Sequence, residues 1–175
     1  MAPSEISIRS ATPQDCAVIL HHRRSMFQDM GEGSSEDLER MVEATAPWLA
    51  GALAAGSYHG WLAEDPQGQI VGGGGVLISS WPAGPHDPVT QRALIINVYT
   101  EPKVRRRGLA RRLMSLMIQW LKEHGFSSVV LHASDEGRPL YETLGFVPTN
   151  EMRLRLNSQK PDNCLASFSV KQIKD

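Results

Sequence analysis

Apolar residues recur along this chain in two rhythms, one at helical spacing and one at every second position, and the switches between them predict its elements. Ile6 and Ile8 alternate with polar neighbours in a short strand. Thr12-Pro13-Gln14-Asp15 then supplies an N-cap, a first-turn proline and an acidic third residue, so a helix is expected from about Pro13 to Met30. Ser34-Ser35-Glu36-Asp37 starts a second helix carrying Leu38, Met41, Val42 and Thr45. Pro47 should end or kink it before the Trp48 to Ala55 stretch, and Gly56 marks the far limit. Tyr58 to Glu64, a turn at Asp65-Pro66-Gln67-Gly68, and Ile70 to Ser79 read as a hairpin. Within it, Gly72 to Gly75 point to a bulge, to close approach by another backbone or ligand, or equally to tight packing.

A proline- and glycine-rich loop, Pro82 to Pro88, leads to the β-rich run Leu94-Ile95-Ile96-Asn97-Val98-Tyr99. After it, Leu109, Leu113, Leu116, Met117, Trp120 and Leu121 fall at helical spacing, and His124-Gly125 closes that helix. Ser128 to His132 form another apolar strand, and Ser134 can cap a short helix through Leu144. The order is strand, two helices, three strands, helix, strand, helix and a tail. Met152 to Leu156 and Leu165 to Val170 are each candidates for a last strand.

A chain of 175 residues, 41% hydrophobic, suits one well-cored domain spanning residues 1–175, with residues 157–175 as a mobile or strand-forming tail. The net charge of -1 argues against a general nucleic-acid or other polyanion binder, since such proteins carry a basic surplus. No apolar run approaches the roughly 18 residues of a membrane span, and MAPSEISIRS lacks the apolar core of a signal peptide, so a cytoplasmic protein is the simplest expectation. Cys16 and Cys164 are too few for a disulfide framework and lack metal-site spacing.

The basic residues are concentrated in VYTEPKVRRRGLARRL. At its centre, Arg105-Arg106-Arg107-Gly108-Leu109-Ala110 is an R-x-x-G-x-A turn between an apolar strand and an amphipathic helix. At such a helix start the first N–H groups lack intrahelical partners and the dipole is positive, so a diphosphate can collect several donors. Gly108 admits the ligand where a side chain would block it, and Ala110 keeps the first turn open. Exposed arginines at a helix start oppose its dipole, and nearby phosphates would account for Arg105, Arg106, Arg107, Arg111 and Arg112 together. A second motif, Leu140-Tyr141-Glu142-Thr143-Leu144-Gly145-Phe146, places a phenol on a helix ended by glycine.

In this order and context the two motifs resemble the GNAT superfamily of acyl-CoA-dependent N-acetyltransferases. The resemblance implies an α/β (α+β) fold with a mixed, mostly antiparallel sheet and a splayed central parallel strand pair. It also implies acetyl-CoA as acyl donor, an amine acceptor (a small molecule or a peptide amine) and no metal; a homodimer is compatible with it. By position, Val98, Tyr99 and Thr100 match the strand segment that pairs with the pantetheine arm, the Val98 N–H polarising the thioester carbonyl. Residues Arg105 to Arg111, Gly108, Leu109 and Ala110 among them, match the pyrophosphate loop. Tyr141 matches the tyrosine facing the coenzyme A sulphur.

A phenol near pKa 10 is a weaker acid than a thiol near 8.5, so full proton transfer to the thiolate is uphill by about 2 kcal/mol in water, and Tyr141 is foremost a hydrogen-bond donor. The chain departs from the family where several members use a strand glutamate: Leu94 and Val129 stand there, and Ser134 stands where an asparagine is frequent. His132, read as lying on the strand beside the splay, is the substitute base, a histidine being mostly neutral at pH 7; a purely structural histidine and a water chain are its rivals. His21, His22, Asp29 and Glu32 are read mainly as facing water, and Asn97 either orients a group or fixes the strand register. The missing glutamate motivates an alternative, a coenzyme A-binding module without catalysis.

Overall fold

The computed structural model describes residues 6–85, 87–154 and 156. Met1–Gly145 form one compact unit and Phe146–Asp175 a second. In the first unit, strand β1 (Ser7–Ser10) leads into a 3₁₀ turn (Pro13–Asp15) and helix α1 (Cys16–Asp29). Asp15 anchors this entry by accepting from the Thr12 N–H at 2.7 Å and from both terminal nitrogens of Arg9. Helix α2 (Ser35–Ala55) opens on a capping box, the Asp37 N–H donating to Ser34 Oγ and the Ser34 N–H to Asp37.

Of the two outcomes expected at Pro47, an end or a kink, the end is overturned: α2 runs on to Ala55. The proline removes one backbone bond, but Leu49 and Ala52 beyond it are buried against α1 and the sheet, and that burial outweighs the single loss. Gly56, in the left-handed conformation, ends the helix.

Strands β2 (Tyr58–Glu64), β3 (Ile70–Ser80) and β4 (Gln91–Thr100) form an antiparallel meander extended by β1. Helix α3 (Leu109–Glu123) crosses over to β5 (Val130–Leu131), which pairs parallel to β4, giving the order β1-β2-β3-β4-β5. A short helix α4 (Arg138–Thr143) follows. The mixed, mostly antiparallel sheet flanked by helices is the expected fold class. The expected strand from Ser128 to His132 is shorter, its pairing confined to two residues. No strand forms over residues 152–154; Leu165 to Val170 and residues 157–175 lie outside the described part.

The glycine run of β3 lets helices press on both faces of the sheet. A Cβ on Gly73 would lie 3.4 Å from His22 Nδ1 of α1, and one on Gly74 would lie 3.0 Å from the Met117 methyl of α3, so successive residues face opposite helices. Gly75 is the tightest. A Cβ there would stand 2.2 Å from the Tyr58 hydroxyl, and Tyr58 is itself buried. None of these glycines has positive φ, so they serve space rather than backbone conformation.

Gly75→Ala is therefore expected to destabilise the protein by about 3 kcal/mol, at the upper end for overpacking, in urea unfolding. Gly74→Ala, whose closest contact is a flexible methionine tip, with a Val98 methyl at 3.4 Å, should lose about 1 kcal/mol or less. Equal losses would remove the packing argument.

Candidate functional site

Opposite Gly74, β4 carries one residue more than β3. Gly75 pairs with Ile96 and Gly73 with Tyr99, which leaves Asn97 and Val98 against a single glycine. Asn97 absorbs the extra residue in the left-handed region at φ 57°, a conformation asparagine tolerates better than most side chains. The bulge resets the strand's alternation. Ile96 packs into the α1–α2 core, Asn97 reaches α1, Val98 lies toward Met117 of α3, and Tyr99 returns to α1 against His22.

The parallel pairing of β4 with β5 ends just before this bulge, at Ile95 and Leu131. Among the described residues, 96–100 therefore have β3 on one side and no strand on the other. A strand edge inside a sheet calls for hydrogen-bonding partners.

Beneath the bulge, on the α1 side, sits a polar cluster that the sequence reading did not assemble. Asn97 is buried; its Oδ1 accepts from Arg23 Nη1 at 2.9 Å and its Nδ2 donates to the Tyr58 hydroxyl at 3.3 Å. Burial pushes the Tyr58 phenol up to about 12 and holds the Arg23 guanidinium below its ordinary value. His22, expected to face water, is instead 2% exposed and tilted against the Tyr99 ring at 5.2 Å. Burial, reinforced by neighbouring His21, pushes it down to about 4. His22 Nε2 and Arg23 Nε are buried and find no hydrogen-bond acceptor or donor among the described residues. His22 falls three positions after buried Ile19 on one helical face, about 100° around from exposed His21, so the helical period was one signal of its burial, and the glycine at 73, which makes room for the ring, was another.

At the far end of β4 the chain makes a 3₁₀ turn (Pro102–Val104) and enters the arginine loop. Arg106 and Gly108 take positive φ, at 60° and 78°. A Cβ on Gly108 would meet nothing within 4 Å, so this glycine is required by its dihedral as well as by any approaching ligand. The first return bond into α3 runs from the Arg112 N–H to the Gly108 carbonyl at 3.0 Å, so the N–H groups of Leu109, Ala110 and Arg111 have no intrahelical acceptor. The arginines divide by task. Arg105 Nε donates to the Thr100 carbonyl at 2.9 Å, its Nη2 pairs with Asp29, and the guanidinium stands 5.5 Å over Tyr99. Arg111 donates to Thr143 Oγ1 and Arg112 to the Ile6 carbonyl. Arg106 and Arg107 are the members of the motif left exposed at the turn.

Tyr141 is half-buried on α4, and burial raises its phenol above the ordinary value. A Cβ on Gly137 would come within 2.7 Å of that ring, so glycine one turn earlier gives it room. Ser134 Oγ accepts from the Gly137 N–H at 3.1 Å, and the Ser134 carbonyl from the Arg138 N–H at 2.9 Å, so this serine caps the turn into α4. His132 is placed differently from the expectation: it lies one residue beyond β5 rather than on it, and it is exposed. The pairing of β4 and β5 has already ended there, so the chain is free to turn outward. Among the described residues no three His, Cys, Asp or Glu side chains gather as a cation site, and no helix is long and apolar enough to cross a membrane.

The chain as a whole has counterparts among known proteins. The family model for the acetyltransferase (GNAT) family matches residues 19–146. The chain belongs to the GNAT acetyltransferase family. A GCN5-related N-acetyltransferase from Ralstonia eutropha is 33% identical, with a TM-score of 0.82 over 87% of this chain and 99% of that one. A predicted acetyltransferase from Clostridium acetobutylicum, solved with acetyl-CoA, is 26% identical with a TM-score of 0.78 over 87% and 96% of the two chains. A curated relative, mycothiol acetyltransferase from Renibacterium salmoninarum, is 31% identical over 82% of this chain; the chain spans 41% of that relative's length.

In this GNAT chain the buried His22 makes stability depend on pH. Its folded value near 4 lies below the ordinary 6.5, so the unfolded chain binds the extra proton. Stability is fully present above pH 6.5 and falls as pH drops from there toward 4, by up to about 3 kcal/mol. Urea unfolding at pH 7.5, 6, 5 and 4 should show this slope in the parent protein and a flatter one in His22→Phe; parallel curves would refute it.

Proposed function

We propose that this protein transfers an acetyl group from acetyl-CoA to a primary amine by direct attack. The observation that carries the reading is the unpaired β4 edge at residues 96–100, running into a turn where α3 offers N–H groups without intrahelical acceptors. Pantetheine amides have the donors and acceptors such an edge lacks, and a diphosphate suits the turn. Val98, Tyr99 and Thr100 hold the arm. The backbone of Arg105, Arg106, Arg107, Gly108, Leu109, Ala110 and Arg111 holds the diphosphate, with Arg106 and Arg107 exposed for its charge. Arg105 acts through its grip on the Thr100 carbonyl and Asp29, which fixes the loop. Ser134 contributes a hydroxyl at the other wall of the gap.

The chemistry requires the amine nitrogen to bond the carbonyl carbon, the C–S bond to break, and one proton to leave the amine while another reaches the sulphur. The Val98 N–H stabilises the oxyanion, a preorganised contribution of about 3 kcal/mol for donors of this kind. Tyr141 donates a hydrogen bond to the departing thiolate. Its raised value makes it a weaker acid than an exposed phenol, so donation rather than complete transfer is its main contribution. The strand positions Leu94 and Val129 carry no base, and His132 with solvent water takes the amine proton.

Tyr141→Phe should lower turnover about 10- to 100-fold while acetyl-CoA affinity changes by no more than about twofold. Thiol release and calorimetry with acetyl-CoA measure the two. Unchanged turnover removes Tyr141 from the mechanism, and a protein that binds acetyl-CoA yet acetylates no amine in a broad panel is a binding module instead.

A further inference from the structure

Among the described residues the half-buried guanidinium of Arg23 has no counter-ion. Its Nη1 donates to Asn97 Oδ1 and its guanidinium carbon lies 5.0 Å from the Phe27 ring centre, but none of their carboxylates pairs with it and its buried Nε finds no acceptor among them. Three carboxylates on or beside α1 already have partners. Asp29 pairs with Arg105, Glu101 with His21, and Asp15 with Arg9. The groups nearest Arg23 are neutral: the Asn97 amide, the Tyr58 phenol that donates no charge, and Phe27. A half-desolvated cation whose buried Nε has no acceptor among the described residues is costly unless something anionic completes it. A guanidinium is also suited to a carboxylate or phosphate, which it can meet with two parallel N–H bonds.

The location says what that anion belongs to. Arg23 is bonded to the bulge residue Asn97, which directly precedes Val98, the residue whose N–H is assigned to the oxyanion under the proposed function. We propose that Arg23 is a specificity residue for the acceptor and that the amine acetylated here carries a carboxylate or phosphate a few bonds from its nitrogen. The guanidinium seats that anion on the α1 side of the bulge while the amine reaches the acyl carbon. The inference rests on the reading of the β4 edge as the acyl-transfer site.

The test uses paired acceptors with and without the anionic group, each rate referred to the free-amine concentration. Glycine, β-alanine, 4-aminobutyrate and a dipeptide are compared with their carboxamides, and phosphoethanolamine with ethanolamine, which separates carboxylate from phosphate. At the matching length the anionic member should exceed its neutral partner about 10-fold or more in kcat/KM, mainly through KM. In Arg23→Gln that ratio should collapse toward one, and Arg23→Lys should keep part of it. A role confined to bracing Asn97 would lower both members of each pair alike and leave the ratio intact, which overturns the proposal, as does a wild-type ratio near one throughout. A second readout needs no turnover: calorimetry of the N-acetylated acids and their amides in the presence of coenzyme A. Binding of at least one acid by the parent protein and its loss in Arg23→Gln support the inference; binding of none overturns it. Failure of the transfer reading shows separately, as normal acetyl-CoA binding with no acetylation of charged or neutral amines.

Discussion

The left-handed backbone at Asn97 sets the geometry on which the rest of the site relies. By inserting one residue opposite Gly74 it turns Asn97 toward α1 and Val98 toward α3, and the pairing of β4 with β5 stops immediately before it. Without it the alternation of β4 would continue unchanged and Asn97 would point to the other face of the sheet. The bulge is held by bonds from two elements, Arg23 of α1 and Tyr58 of β2. Tyr58 in turn requires the absence of a side chain at Gly75. A glycine in one strand thus supports the bend in the next through a phenol between them.

Charge at the site is separated along β4. The end near Arg106, Arg107 and the start of α3 is cationic and wet, suited to an anion that arrives from solvent. The middle, around Asn97, is drier: burial holds His22 neutral and Tyr58 protonated, and one guanidinium is half-buried. In such surroundings hydrogen bonds and charges act more strongly than at the surface, because water does not compete for them. Gly137 and Ser134 shape the third part, the short α4 that carries Tyr141.

Much of this was legible in the sequence because it rests on local rules. Ser34 and Asp37 announced α2, Gly56 its end, and Gly108 the start of α3, each through a backbone requirement that a few neighbouring residues satisfy. The R-x-x-G-x-A turn and the Tyr141 motif were readable for the same reason. What escaped depends on residues far apart in the chain. Pro47 looked like a terminator until the burial of Leu49 and Ala52 was known. His22 looked exposed until β3 supplied a glycine opposite it, and Arg23 meets Asn97 across 74 positions of sequence. His132 was read onto a strand whose apolar pattern continues past the point where its partner bends away.

Helix α1 contributes to both ends of the proposed reaction line. Near its middle it presents Arg23 to the bulge, and at its last residue it presents Asp29 to Arg105 of the arginine turn. One rod thus spans the proposed donor anchor and the proposed acceptor wall. On that reading, a substitution that tilts or slides α1 to admit a different acceptor also shifts the loop proposed to hold the donor, so the two preferences are mechanically tied and would have to diverge together among descendants of this sequence.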